Sequence, residues 1–161
     1  MKFRTKYGVL LFAMMFLAVC TYAQKLESEF LYKITLDLEK PLDVGKSPYG
    51  TRIAYAIKGG TFEGPQIKGK VKPVGEDWLL KVDDLTNKLD VRLILETDDA
   101  ELIACSYTGI VHNKLDKTTY WRITPTFQTA SKKYDWLNYI VAVGTGSIVG
   151  GKVSYEVFLI K

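Results

Sequence analysis

Six side chains capable of binding or proton transfer alternate with apolar residues along three segments of this chain. They are Glu63, Asp90, Arg92, Glu96, Tyr120 and Arg122. A guanidinium stays charged in a protein, and its planar fork binds a carboxylate, an enolate or a phenolate through paired hydrogen bonds. Carboxyl and phenol groups transfer protons when their pKa values are shifted. The set predicts either an oxyanion-binding site or acid–base chemistry.

The alternation leaves two orientations open for these side chains. In an antiparallel sheet with one wet face, the polar residues face solvent and the apolar residues form the core. In a closed barrel, polar residues can instead line the interior, where a buried guanidinium requires a partner. Asp90, Glu96 and Glu63 are the candidate partners of Arg92 and Arg122. Such a network would either tie strands together or leave one guanidinium free for a ligand.

The segments that carry these residues belong to a series of short predicted strands. They cover residues 30–38, 52–58, 66–74, 78–82, 88–97, 102–112, 118–129, 138–143 and 152–160. Turn residues separate them, including residues 73–77 and 144–151, and no long helix is predicted. Short strands at regular spacing indicate an all-β sandwich or barrel. We expect Trp78, Trp121 and Trp136 to be largely buried, with Trp121 facing away from Arg122.

The N-terminal segment has the three parts of a secretory signal peptide. Basic residues at positions 2–6 precede an apolar stretch at 8–19, and the small residues Thr21 and Ala23 follow it. The stretch is shorter than the roughly 20 residues that cross a bilayer. The pattern predicts cleavage after Ala23 and no membrane span in the processed chain.

Cleavage would divide the chain into a signal peptide, 1–23, and a single β-domain, 24–161. The product is expected in the periplasm or outside the cell. The alternative is lipid attachment at Cys20, which would anchor the protein to a membrane. The sequence specifies no oligomeric state.

Charge and composition exclude several classes of function. Three of the 22 basic residues lie in the leader, so 19 remain against 18 acidic residues, a net charge of +1. A nucleic-acid-binding surface requires clustered Lys and Arg, which this balance does not provide. His112 is the only histidine, and Cys105 is the only cysteine after the leader. We therefore expect no metal, no cofactor and no Ser-His-Asp catalysis.

Short motifs in the remaining chain resemble a family of small β-barrel proteins of unknown function, called DUF3237 or UPF0311. The motifs include residues 41–45, 48–50, 59–65, 77–78, 89–92, 96–99, 120–122 and 136–138. Two positions depart from the family pattern, because Ala100 replaces a usual glycine and Gln128 a usual glutamate. The resemblance implies an antiparallel, up-and-down, calycin-like barrel, for which we expect about eight to ten strands.

The polar residues of the alternating segments coincide with motif positions of that family, which favours the inward orientation. We therefore expect an exported β-barrel that binds a small organic ligand, anionic or oxygen-rich, in a polar interior. The alternative is a cofactor-independent enzyme, such as an isomerase, cyclase or hydratase, that uses Arg, Asp, Glu and Tyr side chains. An enclosed, unpaired carboxylate would favour the enzyme.

Overall fold

The computed structural model describes residues 25–161, which form an antiparallel β-barrel. The strands are β1 (Ser28–Leu38), β2 (Leu42–Ser47), β3 (Gly50–Glu63), β4 (Lys68–Lys81), β5 (Thr86–Thr97), β6 (Leu102–Asn113), β7 (Thr119–Gln128), β8 (Val141–Val149) and β9 (Lys152–Ile160). A 3₁₀ helix covers Asp135–Tyr139. Within the described part, no helix has the length and apolar character needed to span a membrane. The predicted signal peptide and the Cys20 alternative lie outside these residues.

The barrel closes because β1 pairs with strands on both of its edges. The sheet order is β1-β9-β8-β7-β6-β5-β4-β3-β2, and β1 also pairs with β3. Eight strands, β1 and β3–β9, thus form the closed wall, while β2 extends β3 outside the ring. Every pairing is antiparallel, and nearly all link strands that are consecutive in sequence. The predicted all-β, up-and-down barrel is confirmed.

A glycine allows the closing strands to approach each other. Gly60 pairs with Leu36 and has φ 148°, a conformation that side chains disfavour. A Cβ atom at this position would collide with the Thr35 carbonyl oxygen. The Gly59-Gly60 pair, predicted to end a strand, instead lies inside β3 at the closing seam.

The two ends of the barrel differ in solvent access. At the closed end, which carries residues 129–140, inward side chains such as Ile103, Phe127 and Leu137 are buried. The open end carries the turns 82–85, 114–118 and 150–151. Inward-facing Tyr55 and Trp121 near this end are only half-buried. Inward-facing side chains near this end are therefore partly exposed to solvent.

Side-chain contacts fasten the segment at the closed end. The Asn138 Oδ1 atom accepts a hydrogen bond from the Thr129 backbone N–H at 2.9 Å, and its Nδ2 donates to the Thr129 carbonyl at 3.0 Å. The Tyr134 hydroxyl donates to Asp99 Oδ1 at 2.9 Å. These contacts hold the segment 129–140 against the turn between β5 and β6.

Further predicted boundaries were wrong. The predicted strand 138–143 starts inside the 3₁₀ helix, and β8 begins only at Val141. Residues 73–77, predicted as a turn, belong to β4, because a bulge between Val71 and Gly75 accommodates the proline and glycine. Residues 144–149 of the predicted last turn belong to β8. Gly146 is required there because any side chain would overlap the Trp121 ring. Residues 42–47, which lie between the predicted strands 30–38 and 52–58, form β2.

Candidate functional site

The six predicted site residues lie on the outside of the barrel, so their inward orientation was wrong. Glu63, Asp90, Arg92, Tyr120 and Arg122 are exposed, and Glu96 is half-buried. Their apolar neighbours in β5, such as Val91 and Leu93, fill the interior. An apolar core occupies the space that the polar cluster would have required, as in a sheet with one wet face.

The six residues are not brought together. Arg122 lies over the Tyr120 ring, 4.7 Å from its centroid, and donates a 2.8 Å hydrogen bond to the Trp121 carbonyl. Only Asp90 and Arg92 share a surface groove, which is also lined by Glu76 and Trp78. Ligand binding by Asp90 and Arg92 stays a prediction, and the groove that they line lies on the outer surface.

Glu96 has its own partners, and Glu63 lies on a different strand. Lys72 and Lys70 bind Glu96 at 2.6 and 3.0 Å, and their hydrogen bonds lower the pKa of its carboxyl group. Glu63 ends β3, opposite Lys33 and Lys68 in the strand register. Neither carboxylate pairs with Arg92 or Arg122 in the described structure.

The tryptophan predictions had mixed outcomes. Trp121 packs against the core and faces away from exposed Arg122, as expected. Trp136 is half-buried against the same core. Trp78 is 44% exposed, so its predicted burial was wrong. The bulge in β4 places Asp77, the preceding residue, inside instead.

Asp77 and two tyrosines form a polar cluster inside the barrel. Asp77 on β4 is opposite Val91 on β5, which is opposite Tyr107 on β6. Directly opposed residues of antiparallel strands share a face, so all three point inward. Tyr155 reaches the cluster from β9, and its ring centroid lies 5.4 Å from that of Tyr107. Three strands, β4, β6 and β9, therefore each contribute a polar side chain to one region of the interior.

The Trp121 indole completes this interior cluster, which we define as Asp77, Tyr107, Trp121 and Tyr155. The Trp121 and Tyr155 rings meet edge to face at 5.5 Å and 87°. One polar atom of each member is buried without a hydrogen-bond partner in the described structure: Asp77 Oδ1, Tyr107 Oη, Trp121 Nε1 and Tyr155 Oη. Each such atom costs about 1–3 kcal/mol. A concentration of unpaired polar atoms in one place requires an explanation.

Burial changes the protonation of Asp77. Its side chain is 8% exposed. Desolvation raises the pKa of the Asp77 carboxyl from 3.8 to about 7, and the negative charge of nearby Asp90 contributes to the rise. Asp77 is therefore divided between its acid and its base form near neutral pH.

The same environment also shifts the pKa values of Tyr107 and Tyr155. Burial raises the pKa values of Tyr107 and Tyr155, and the charge of Asp77 raises both further. The Tyr155 hydroxyl lies close enough to Tyr107 and Trp121 for both to affect its pKa, although no pair completes a hydrogen bond. Both phenols are neutral donors at physiological pH.

Cys105 belongs to the core and not to the interior cluster. It is free and buried, and burial raises the pKa of its thiol to about 12. A neutral thiol is a poor nucleophile, so Cys105 acts as a small core residue. Across residues 25–161, no group of three or more His, Cys, Asp and Glu side chains could hold a metal ion.

The sequence contained only a weak signal for the interior cluster. Pro73 and Gly75 predict a turn over residues 73–77, which includes Asp77, and Trp78 was expected to be buried. Tyr107 lies within the apolar segment 102–112, where its spacing from Cys105 does indicate an inward position. The bulge that reverses the β4 faces was not predictable from alternation.

The outer position of Asp90 and Arg122 gives a stability prediction. At pH 5, where Asp77 is uncharged, we expect Asp90→Ala and Arg122→Leu each to change the free energy of unfolding by less than about 0.5 kcal/mol, as at other exposed sites. Urea denaturation monitored by tryptophan fluorescence measures this. A loss of 3 kcal/mol or more for Asp90→Ala would show that it supports a buried guanidinium after all.

Comparison with known proteins identifies the family of this barrel. The family model described as a protein of unknown function, DUF3237, matches residues 26–160. A UPF0311 protein from Rhodopseudomonas palustris is 26% identical over 145 residues, covering 82% of this chain and 95% of that protein. A β-barrel-like protein from Acinetobacter baumannii is 34% identical with a TM-score of 0.82, covering 88% of this chain and all of its own.

A more distant solved structure shares the same fold. It is described as an enzyme from Penicillium herquei, is 22% identical with a TM-score of 0.73, and covers 89% of this chain and all of its own. At that identity, the likeness extends to the architecture alone. The match over 26–160 is decisive for membership. The chain belongs to the DUF3237 family of proteins of unknown function.

Proposed function

We propose that this barrel binds a small organic molecule at its interior cluster and catalyses a proton transfer on it without a cofactor. The observation that carries the proposal is an enclosed carboxyl, Asp77, that has an unpaired oxygen beside two unpaired tyrosine hydroxyls. A purely structural network would pair these atoms, because unpaired buried polar groups destabilise the fold.

The chemistry follows from the protonation states at the site. General acid–base catalysis works best when the pKa of the catalytic group is close to the operating pH. Asp77 meets this condition, because burial holds its pKa at about 7. Its carboxylate can take a proton from a bound molecule, and the resulting acid can return the proton elsewhere. The assigned reaction class is isomerisation, cyclisation or hydration.

The outer face of the barrel is a weaker candidate for the ligand-binding site than the interior cluster. A groove of about 410 Å³ beside Arg92 is lined by residues such as Leu93, Ala104 and Thr126. It is open to solvent, and Arg92 makes no ion pair with another described residue. Exposed charges are screened by water and contribute little to affinity. We therefore assign binding and catalysis to the interior.

Export of the protein is part of this proposal. The leader 1–23 would direct the barrel to the periplasm or the cell exterior, where the intact mass of the isolated chain should correspond to a start at Gln24. A full-length chain or a lipid on Cys20 would contradict cleavage after Ala23.

Native mass spectrometry and deuterium exchange test the catalytic proposal. Native mass spectrometry of protein isolated from its own envelope should identify a bound small molecule. Incubation of that molecule with the protein in D₂O should then introduce deuterium, detected as a mass increase. We expect this exchange to be lost in Asp77→Asn, which keeps the shape of the side chain and removes the base.

Glu76→Gln is the matched control, since Glu76 precedes Asp77 on the same strand and is exposed. It should exchange deuterium at the wild-type rate. Equal exchange in the wild type and in Asp77→Asn would refute a catalytic role for Asp77. Loss of exchange in Arg92→Leu with retention in Asp77→Asn would move the function to the outer face.

A further inference from the structure

The interior cluster contains three uncharged hydrogen-bond donors. Two of them, Tyr107 and Tyr155, are close enough to Asp77 for its charge to raise their pKa values, and the third, Trp121, contacts Tyr155. Tyr107 and Tyr155 are 5% and 1% exposed, and neither hydroxyl has a partner in the described structure. The Trp121 indole N–H can only donate, and it too is unpaired. Tyr107 and Trp121 both approach the Tyr155 hydroxyl, but no pair of the three reaches full hydrogen-bond geometry. Donors left in this state can bind an acceptor on a ligand.

The rings that carry these donors also restrict the shape of the ligand. The Tyr155 ring contacts the Tyr107 and Trp121 rings edge to face, with centroids 5.4 and 5.5 Å away. Half-buried Tyr55 lies opposite Asp77 on β3, whereas fully buried Val91 beside Asp77 and Leu89 on the same face of β5 are apolar. Apolar and aromatic walls favour a neutral and largely planar molecule.

Proton transfer moves negative charge from the Asp77 carboxylate to the bound molecule. When the Asp77 carboxylate accepts a proton, its negative charge disappears and an equal charge forms on the bound molecule. Charge on an oxygen atom would lie among neutral donors, where preorganised hydrogen bonds stabilise it strongly. Hydrogen bonds to a charged acceptor exceed those to a neutral acceptor in strength. The donor set is thus better matched to the charged intermediate than to the neutral substrate.

We propose that Tyr107, Tyr155 and Trp121 form an oxyanion-binding site, and that the substrate class is a neutral, planar carbonyl compound with an acidic C–H bond next to the carbonyl. This inference rests on the proposed function of Asp77 as the base. It adds that negative charge accumulates on the carbonyl oxygen of the substrate, and it names carbonyl compounds as the substrate class.

The reaction balances without any further reactant. The Asp77 carboxylate removes the proton from the carbon next to the carbonyl, and the C–H electron pair forms a carbon–carbon double bond. The carbonyl π electrons move to oxygen, which becomes the oxyanion bound by the three donors. In a substrate with a second carbon–carbon double bond next to the deprotonated carbon, the electron pair is shared with the far end of that bond. Return of the proton from Asp77 to that far carbon regenerates the carbonyl and moves the double bond. No electron enters or leaves, so the step is an isomerisation.

Binding of 4-nitrophenol tests the donor site independently of turnover. Its absorption reports ionisation, and its phenolate oxygen resembles an enolate. Asp77→Asn supplies a neutral stand-in for protonated Asp77 and should bind the phenolate form. In that background, Tyr155→Phe should weaken phenolate binding by about tenfold to a hundredfold, as expected for loss of a hydrogen bond to a charged group. Tyr107→Phe should weaken it by a similar factor.

Tyr139→Phe is the control, because Tyr139 is 79% exposed. It should leave 4-nitrophenol affinity unchanged, and melts followed by circular dichroism establish that each variant is folded. Equal phenolate affinity with and without the Tyr155 and Tyr107 hydroxyls would overturn the oxyanion site. Phenolate binding without deuterium exchange would refute the proposed function and leave the donor site standing. Exchange without hydroxyl-dependent binding would refute the donor site alone.

Discussion

Asp77→Asn should increase the stability of the protein at pH 8 by about 4 kcal/mol, after correction for the difference seen at pH 4. Burial raises the pKa of Asp77 from 3.8 to about 7. The folded state therefore binds more protons than the unfolded state between these two values. Stability from this group is fully present below about pH 4 and is lost as the pH rises to about 7. Asparagine stays neutral, so its variant loses no stability from this group.

Thermal melts at a series of pH values measure this effect. The wild-type melting temperature should fall relative to that of Asp77→Asn by about 8–16 °C between pH 4 and pH 8. Glu76→Gln, with its change on the outer face, should follow the wild-type curve within about 0.5 kcal/mol. Parallel curves for wild type and Asp77→Asn would show that Asp77 titrates as an ordinary exposed carboxyl.

The second large effect concerns the rate of proton transfer and its pH dependence. Asp77→Asn should lower kcat/KM by about 10²–10⁴-fold, the usual contribution of a positioned general base. In the wild type, the rate should rise with pH and level off above about pH 7, because only the carboxylate accepts a proton and burial raises its pKa to about 7.

Asp90→Asn tests the same pH dependence of the rate, because it should shift the midpoint without abolishing activity. The charge of Asp90 is the second cause of the raised Asp77 pKa. Its removal should move the midpoint of the rate profile to lower pH while leaving the plateau rate unchanged. Deuterium incorporation at each pH measures both variants. An unchanged midpoint in Asp90→Asn together with full activity in Asp77→Asn would contradict the assignment.

The architecture was predictable because strand pattern and turn chemistry are local properties. Alternation in residues 30–38, 88–97 and 102–112 matches β1, β5 and β6 closely. Strands of this length that are consecutive in sequence pair antiparallel and close into a barrel, which removes exposed edges. The barrel followed from these patterns and from the family resemblance.

The functional face was not predictable because alternation has the same period whichever side is buried. A shift by one residue exchanges the faces of a strand. The β4 bulge makes such a shift, which turned Trp78 outward and Asp77 inward. The charges of Arg92 and Arg122 made them candidate site residues. The buried hydroxyls instead belong to Tyr107 and Tyr155, which lie in apolar segments. Whether a buried polar atom has a hydrogen-bond partner depends on the tertiary structure, and residue types alone do not reveal it.

Titration of the Asp77 carboxyl by ¹³C NMR tests the central claim most directly. Selective labelling of aspartate carboxyl carbons, with Asp77→Asn to assign the resonance, gives the protonation of this group without any substrate. The account predicts a midpoint at about pH 7, since desolvation raises the pKa of Asp77 to about 7. It also predicts a lower midpoint in Asp90→Asn. A wild-type midpoint near the ordinary value of 3.8 would contradict the enclosed acid–base site.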